Sequence, residues 1–312
     1  MVNKPQKGDF IMKLATTTGD FSQYTDSQEL AMEYIAKSGF KYIDYNFGKD
    51  YSVRNGVYSE NWKKHVENVN KKCDELGVKL IQSHSPMGRP VADDNKEFIA
   101  DTIRCVEACG MMGIPNIVVH SGYAYWLTKE ECFKKNREFY MPILEEAEKW
   151  NVNVLVENFN RMVVPNVYWI DNAPDLLEMI EYIDHPLCHG CWDAGHANMQ
   201  MMPQDEALKI VGKHIHAVHI QDNFGDLNND NHIAPFFGNM NMDAVMHGLL
   251  DIGYKGYFTF EATNFFMSAG NRKQYHKDDR LMKAPLSLRL KGEELLYEIG
   301  KTILTAYDCF EE

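Results

Sequence analysis

Residues 152–159 read VNVLVENF, an apolar run that places an acid close to its end. Side chains on a β-strand alternate between its two faces. Glu157 therefore shares a face with Leu155 and Asn153, while Val154 and Val156 point the other way, toward any covering helices. The inward face thus carries an ionisable group at the point where the strand ends. Which polar or charged groups lie next to it depends on the fold.

Seven more runs of this kind, rich in β-branched and aromatic residues, are spread along the chain with helix-like stretches between them. Several of these stretches have apolar residues three and four positions apart, and several end in glycine, as helices do. Eight strand–helix units predict an α/β fold: a single (β/α)8 TIM-barrel domain covering residues 1–312, with the helices outside. The eight runs are 10–17, 40–47, 78–85, 114–122, 152–159, 187–195, 214–222 and 256–264.

The alternative is an open, doubly wound sheet. Its dinucleotide-binding form needs a glycine-rich phosphate loop after an early strand, and TTTGDFS (16–22) does not fit that pattern. Two connections are long, 222–242 after the seventh run and 263–288 after the eighth. In a barrel both would lie at the carboxyl ends of the strands, where long loops build or cover a site.

Composition limits the partners and the compartment. The formal net charge is −13 and no long block of Lys and Arg occurs, which disfavours nucleic acid because phosphate binding needs a basic surface. No apolar run approaches the roughly 20 residues of a membrane helix, and the start MVNKPQKGDFIMK lacks the apolar core of a secretion signal. We therefore expect a cytoplasmic protein without a membrane partner.

Seven cysteines, an odd number in a chain without an export signal, are expected to be reduced thiols. Cys188 and Cys191 have the spacing of half a zinc site. A strand would point them to opposite faces, and no second pair exists. We interpret both as structural residues.

The inward position near the carboxyl end carries an ionisable side chain on six successive predicted strands. Burying three acids together without a partner would be very costly. A shared divalent cation removes that cost and also engages the imidazoles. Counted from His219, the alternation places His214 and His216 on the opposite face of the strand, and we interpret them as structural. The six residues are His84, His120, Glu157, Asp193, His219 and Glu261.

Seven short motifs resemble the xylose isomerase-like TIM-barrel superfamily, which includes sugar isomerases and epimerases, inosose dehydratases and apurinic endonucleases of the endonuclease IV type. The resemblance spans the third to the eighth strand, and the D-x-x-H with its later H-x-x-D is specific for the superfamily rather than for one activity. The motifs are SHSP (83–86), HSG (120–122), VEN (156–158), WDAGH (192–196), HIQD (219–222), DNH (230–232) and FEA (260–262).

Resemblance to the tagatose- and psicose-type epimerases implies a sugar or polyol substrate and one divalent ion. The metal ligands it implies are Glu157, Asp193, His219 and Glu261. This donor set favours Mn²⁺ and admits Mg²⁺, Co²⁺ or Zn²⁺. The resemblance also implies that Glu157 and Glu261 are catalytic, moving a proton next to a carbonyl through an enediolate. We assign His84, His120, His196 and His232 to substrate binding.

Two alternatives remain open. Resemblance to the endonuclease IV type would instead imply a phosphodiesterase with three zinc ions acting on abasic DNA, although the acidic charge and the scattered basic residues of 48–60 argue against it. The ligands matched for that set are His84, His120, Glu157, Asp193, His196, His219, Asp230, His232 and Glu261. A barrel that binds a sugar without turnover is the other. GNMNMD (238–243) also departs from the sugar-active pattern, because Met240 replaces a second glycine.

Several properties of the substrate and the assembly stay open at this stage, including which sugar is bound. Arg161, Arg272 and Arg280 lie in loops that could meet a phosphate, although exposed arginines are usually solvated. If the chain assembles, a homo-oligomer is expected, as for most soluble oligomers.

Overall fold

The computed structural model describes residues 11–160, 162, 164–200, 202–266 and 274–311. At its centre lies a closed ring of eight parallel strands. Neighbouring strands pair in chain order, and β1 closes the ring by pairing with both β2 and β8. This confirms the predicted (β/α)8 barrel and excludes the open sheet. The strands are β1 (Met12–Thr17), β2 (Tyr42–Asn46), β3 (Lys79–His84), β4 (Asn116–Val119), β5 (Asn153–Glu157), β6 (Cys188–Asp193), β7 (Ile215–Ile220) and β8 (Tyr257–Phe260).

Helices connect successive strands and cover the ring, as predicted. The helix before β5 begins at Lys129, where Thr128 and Glu131 form a capping box. The short α2 and three 3₁₀ turns (18–21, 56–58 and 212–214) were not predicted. The helices are α1 (Gln28–Lys37), α2 (Gly48–Tyr51), α3 (Trp62–Leu76), α4 (Lys96–Met112), α5 (Lys129–Trp150), α6 (Ala173–Ile183), α7 (Ala194–Met199), α8 (Gln204–Val211), α9 (Met242–Asp251) and α10 (Leu286–Ala306).

The apolar residues form two separate layers. A small cluster fills the inside of the ring, and the large one lies between strands and helices. Each member of the inner cluster precedes a candidate site residue by two positions, so the predicted alternation is confirmed for four strands. The inner cluster consists of Val118, Leu155, Cys191 and Ala217.

The two cysteines of β6 also follow this alternation. Cys191 lies in the inner cluster and Cys188 in the outer one, and both thiols are free. Their opposite orientation, predicted from the strand period, is confirmed. Half of a zinc site cannot be formed by a pair that faces two different layers.

His214 and His216 lie at the start of β7, at the end of the barrel opposite the carboxyl ends. His216 stacks on His189, with ring centroids 3.5 Å apart. Burial lowers the pKa of both rings, that of His189 to about 4. Among the described residues none of these histidines joins a cluster of potential metal ligands, which is consistent with the structural role predicted for His214 and His216.

A ninth strand, β9 (Phe310–Glu311), pairs in parallel with the first two residues of β1. Two residues are too few to show a period, so the sequence carried no signal for it.

None of the helices among the described residues has both the length and the apolar character that crossing a membrane requires.

The inner cluster yields a stability prediction. Leu155→Ala should lower the free energy of unfolding by about 2–5 kcal/mol, because the closed ring cannot collapse around the cavity that is left. Leu288→Ala on α10, where the side chain is 48% exposed, should change it by less than about 1 kcal/mol. Urea unfolding of the two variants checks this, and equal losses would contradict the assignment of Leu155 to the barrel interior.

Candidate metal and substrate site

The carboxyl ends of six neighbouring strands bring ionisable side chains to one end of the barrel. All six side chains are buried, and buried ionisable groups need partners that compensate their charge. The residues are His84 at the end of β3, His120 after β4, Glu157 at the end of β5, Asp193 at the end of β6, His219 near the end of β7 and Glu261 after β8.

Four of these residues could hold one divalent cation. One ligand atom from each of Glu157, Asp193, His219 and Glu261 lies within 4.8 Å of the other three. Oδ2 of Asp193 and Oε2 of Glu261 are buried and accept no hydrogen bond from any described residue. Such oxygens are costly to bury, and a shared cation would satisfy both. Three carboxylates with one imidazole suit Mn²⁺ or Mg²⁺ and also admit Zn²⁺ or Co²⁺.

His219 is oriented from both sides of its ring. Its Nδ1 lies 2.7 Å from Oε1 of Glu157, and its Nε2 lies 3.3 Å from Oδ2 of Asp44 on β2. The side-chain amide of Gln82 donates to the same Asp44 oxygen at 2.7 Å. Outer partners of this kind hold a ligating imidazole in place. The sequence analysis missed Asp44, although an acid within an apolar strand is the signal that singled out Glu157.

His120 and His84 link the two glutamates. Nε2 of His120 lies 2.8 Å from Oε2 of Glu157 and 3.2 Å from Nε2 of His84, whose Nδ1 is 3.7 Å from Oε1 of Glu261. Burial would raise the pKa of Glu157, but His219 and His120 outweigh burial and hold that pKa well below its usual range. Burial does raise the pKa of Glu261. The two carboxyl groups therefore hold a proton with different strength.

The contacts of Asp193 explain why it lies three residues before His196 in WDAGH (192–196). Its Oδ1 accepts the backbone N–H of His196 at 2.6 Å and caps α7. Nδ1 of His196 donates to the backbone carbonyl of Asn158 at 2.9 Å, so its Nε2 faces Oδ2 of Asp230 at 3.0 Å. Burial alone would lower the pKa of His196, but the carboxylates of Asp193 and Asp230 raise it to about 10.

His232 joins His196 on the same acid. Its Nδ1 donates to the backbone carbonyl of Glu261 at 3.0 Å, and its Nε2 lies 2.9 Å from Oδ2 of Asp230. Of the four further groups of potential ligands among the described residues, each with its atoms within 4.8 Å of one another, two consist only of predicted site residues and Asp230. They are His196, Asp230 and His232, and His84, His120 and Glu157.

The loop 222–242, which carries Asp230 and His232, is organised by Asp222. Its carboxylate accepts the backbone N–H groups of Asn223, Phe236, Gly238 and Met240 at 2.8–3.1 Å. A Cβ at Gly238 would lie 2.3 Å from the carbonyl oxygen of Asn223, so this glycine is required. Met240 contributes only its backbone N–H to the carboxylate, which explains why the second glycine can be replaced.

A cavity of about 730 Å³ opens at this end of the barrel. Phe159 lines it, with its ring centroid 4.8 Å from that of His120 and 4.6 Å from that of His196. Sequence analysis missed Phe159, although it shares the inward face of Glu157. Asp193 and His219 do not line the cavity and lie behind its wall. The predicted site residues that line it are His84, His120, Glu157, His196, His232 and Glu261.

The other predicted loop residues contribute nothing to the described wall. Arg161 and Arg272 lie outside the described residues, and Arg280 is exposed and away from the cavity. The predicted connection 263–288 is described at 263–266 and 274–288, and α10 begins within it at Leu286.

Comparison with known proteins places this geometry among related barrels. A family profile described as "Xylose isomerase-like TIM barrel" matches residues 32–283. The uncharacterised protein MJ1311 of Methanocaldococcus jannaschii is 27% identical over 245 residues, which is 74% of this chain and 80% of that protein.

Two solved structures show the same fold. The IOLI protein, solved with a bound zinc atom, aligns with a TM-score of 0.73 and 18% identity over 95% of this chain and 99% of its own. The D-psicose 3-epimerase of Clostridium cellulolyticum H10, solved with D-tagatose, aligns with a TM-score of 0.72 and 15% identity over 94% and 99%. At such identities the likeness establishes the fold alone.

The four-residue cluster generates a prediction about metal content. Purified protein should carry about one divalent ion per chain, and Asp193→Asn or His219→Ala should each lower that content, because each removes one ligand. His216→Ala is the matched control, since it removes a histidine from the same strand at the far end. Elemental analysis by mass spectrometry checks this, and unchanged content in both ligand variants would contradict the assignment.

The Asp222 hydrogen bonds generate a second prediction. Asp222→Asn replaces a charged acceptor of four N–H groups by an amide with one acceptor oxygen, so unfolding free energy should fall by about 1–3 kcal/mol. Amide hydrogen exchange within 222–242 should also accelerate. Asp226→Asn, an exposed change in the same loop, should leave both measurements unaltered. Equal exchange in the two variants would mean that Asp222 does not hold the loop.

Proposed function

The chain belongs to the xylose isomerase-like TIM-barrel family, and we propose that it is a divalent-metal-dependent isomerase or epimerase of a keto-sugar or polyol. The observation that carries the proposal is the four-residue ligand cluster beside a cavity lined by Glu157 and Glu261. Two carboxyl groups that reach the substrate and also share a cation position are what proton transfer next to a carbonyl requires.

The chemistry is divided between a cation and the chain. Glu157, Asp193, His219 and Glu261 would hold a divalent ion, which would supply a Lewis acid for the carbonyl and for the negative charge that develops when the neighbouring proton leaves. One glutamate removes the proton from the carbon next to the carbonyl, and the other returns a proton.

The histidines position the substrate and the glutamates. His120 holds Oε2 of Glu157, which keeps that carboxylate in one orientation. Nδ1 of His196 donates to a backbone carbonyl and fixes the ring, so that its Nε2 edge is directed toward Asp230 beside the cavity. His232 is fixed in the same way by the carbonyl of Glu261. With Nδ1 fixed in this way, both rings keep their Nε2 edges on Asp230 at the cavity, where a sugar oxygen would share these donors with the carboxylate while the proton moves.

Phosphodiester cleavage is the second candidate function. The observation that favours it is that two of the further ligand groups, one of them containing Asp230, consist of histidines and carboxylates beside the first cluster. Three zinc ions in these positions could activate a hydroxide and hold a phosphodiester. The net charge of −13 opposes it, because a DNA duplex is bound through basic surface. One ion per chain supports the isomerase, whereas three zinc ions with cleavage of abasic DNA would support the nuclease.

Solvent exchange tests the proposed reaction. The Mn²⁺-loaded protein, incubated with a panel of ketoses in D₂O, should place deuterium on the carbon next to the carbonyl of at least one sugar, detectable by NMR. Glu157→Gln and Glu261→Gln should each slow this exchange by about 10²–10⁴-fold, the usual contribution of a positioned acid or base.

The control separates chemistry from folding and from loss of metal. Glu130→Gln, an exposed change on α5, should exchange at the wild-type rate, and all variants are assayed at saturating Mn²⁺. If the wild-type protein binds a sugar but shows no deuterium exchange, the chain is a sugar-binding barrel and not an enzyme.

A further inference from the structure

We propose that Lys49 forms an anion subsite at the distal end of the cavity, so that the substrate is a sugar carrying a phosphate or carboxylate group. Lys49 lies in α2, directly after β2, and lines the same cavity as Glu157 and Glu261. The proposal rests on the proposed function for the reacting end of the substrate and adds the chemical class of its other end.

The first observation is the burial of Lys49. Its side chain is only 15% exposed, whereas lysine is usually left in water. A shielded ammonium needs a compensating anion close by. Burial lowers the pKa of Lys49, which means that the contacts within the chain do not fully compensate for the lost water.

The second observation is the weakness of those contacts. The Lys49 Nζ donates to the backbone carbonyl of Ser22 at 3.4 Å, the long end of hydrogen-bonding distance. Its ion pair with Oδ1 of Asp26 spans 3.8 Å, and the Asp26 side chain is fully exposed. A pair of this length whose carboxylate is fully solvated contributes little. The ammonium therefore retains donor capacity toward the cavity.

The third observation is where the charges lie around the cavity. The carboxylates that line it, Glu157, Asp230 and Glu261, come from β5 and from the chain that follows β7 and β8. In a closed ring of eight strands, β1 and β2 lie across from β5 and β6. Lys49 therefore approaches from the side opposite Glu157, and the described lining contains no other lysine or arginine.

The residues that line the cavity beside Lys49 are neutral, whereas Asp26 and Asp50, whose charges also act on Lys49, do not line it. Ser22, Gln23 and Asn46 line the cavity beside it. The Gln23 amide donates to Oδ1 of Asn264 at 3.3 Å, and Oδ1 of Asn46 accepts the N–H of Gly48 at 2.8 Å. These amides offer hydrogen bonds without charge, which suits sugar hydroxyls between the reacting carbon and a terminal anion. A cavity of about 730 Å³ is within the usual range for a small-molecule site.

The experiment compares ligands that differ only at the distal end. Calorimetric titration of the Mn²⁺-loaded protein with D-fructose, D-fructose 6-phosphate and D-fructuronate gives three dissociation constants. We expect at least one anionic probe to bind about tenfold or more tightly than fructose, the scale of one charged hydrogen bond. Comparison of D-fructose 6-phosphate with D-fructuronate identifies whether the subsite takes a phosphate or a carboxylate.

Three variants locate the source of any preference. Lys49→Gln should reduce the ratio of neutral to anionic dissociation constants to near one, and Lys49→Arg should restore much of it. Lys134→Gln, an equal loss of charge at an exposed position of α5, should keep the wild-type ratio. Equal binding of all three probes, no binding of any probe, or a preference that persists in Lys49→Gln would each overturn the proposal. The last result would mean that the anion binds the cation instead.

Failure here can be told apart from failure of the proposed reaction. Deuterium exchange that depends on Glu157 and Glu261, without an anion preference, would leave the reaction standing and remove the subsite. A preference that depends on Lys49, without any deuterium exchange, would leave the subsite standing and remove the isomerase.

Discussion

Three carboxylates buried within a few ångströms of one another are the constraint on which this end of the barrel depends. Glu157, Asp193 and Glu261 repel one another in a region shielded from water, and such repulsion is tolerated only with compensating charge and hydrogen bonds. The surrounding imidazoles and amides supply part of this compensation. The two carboxylate oxygens that remain without a hydrogen bond mark where a cation would complete it.

The strand period connects this polar cluster with the stability of the fold. On β5 the same alternation that directs Leu155 into the ring directs Glu157 to its open end. A residue inserted into the strand would therefore exchange both faces and displace the core and the site together. This coupling explains how so small an inner cluster can position charged groups accurately.

The sequence predicted what depends on local periodicity and missed what depends on contacts distant along the chain. Eight runs, their order and the inward face of Glu157 follow from a period of two. The burial of Lys49 is different, because it arises from packing of the segment after β2 against the one after β1. The course of loop 222–242 depends on Asp222 accepting the N–H of Met240, eighteen residues away, and no local pattern encodes such a bond. Whether the candidate residues bind metal or sugar stays a prediction.

Asp193 uses one carboxylate oxygen to cap α7 and leaves the other free toward the cation position. Ion occupancy and the order of that helix are then thermodynamically coupled, since a shift of the carboxylate alters both. An ion that draws Asp193 away would loosen the first turn of α7 and with it the imidazole of His196. Binding of an ion would in this way be transmitted to the residues that would meet the substrate.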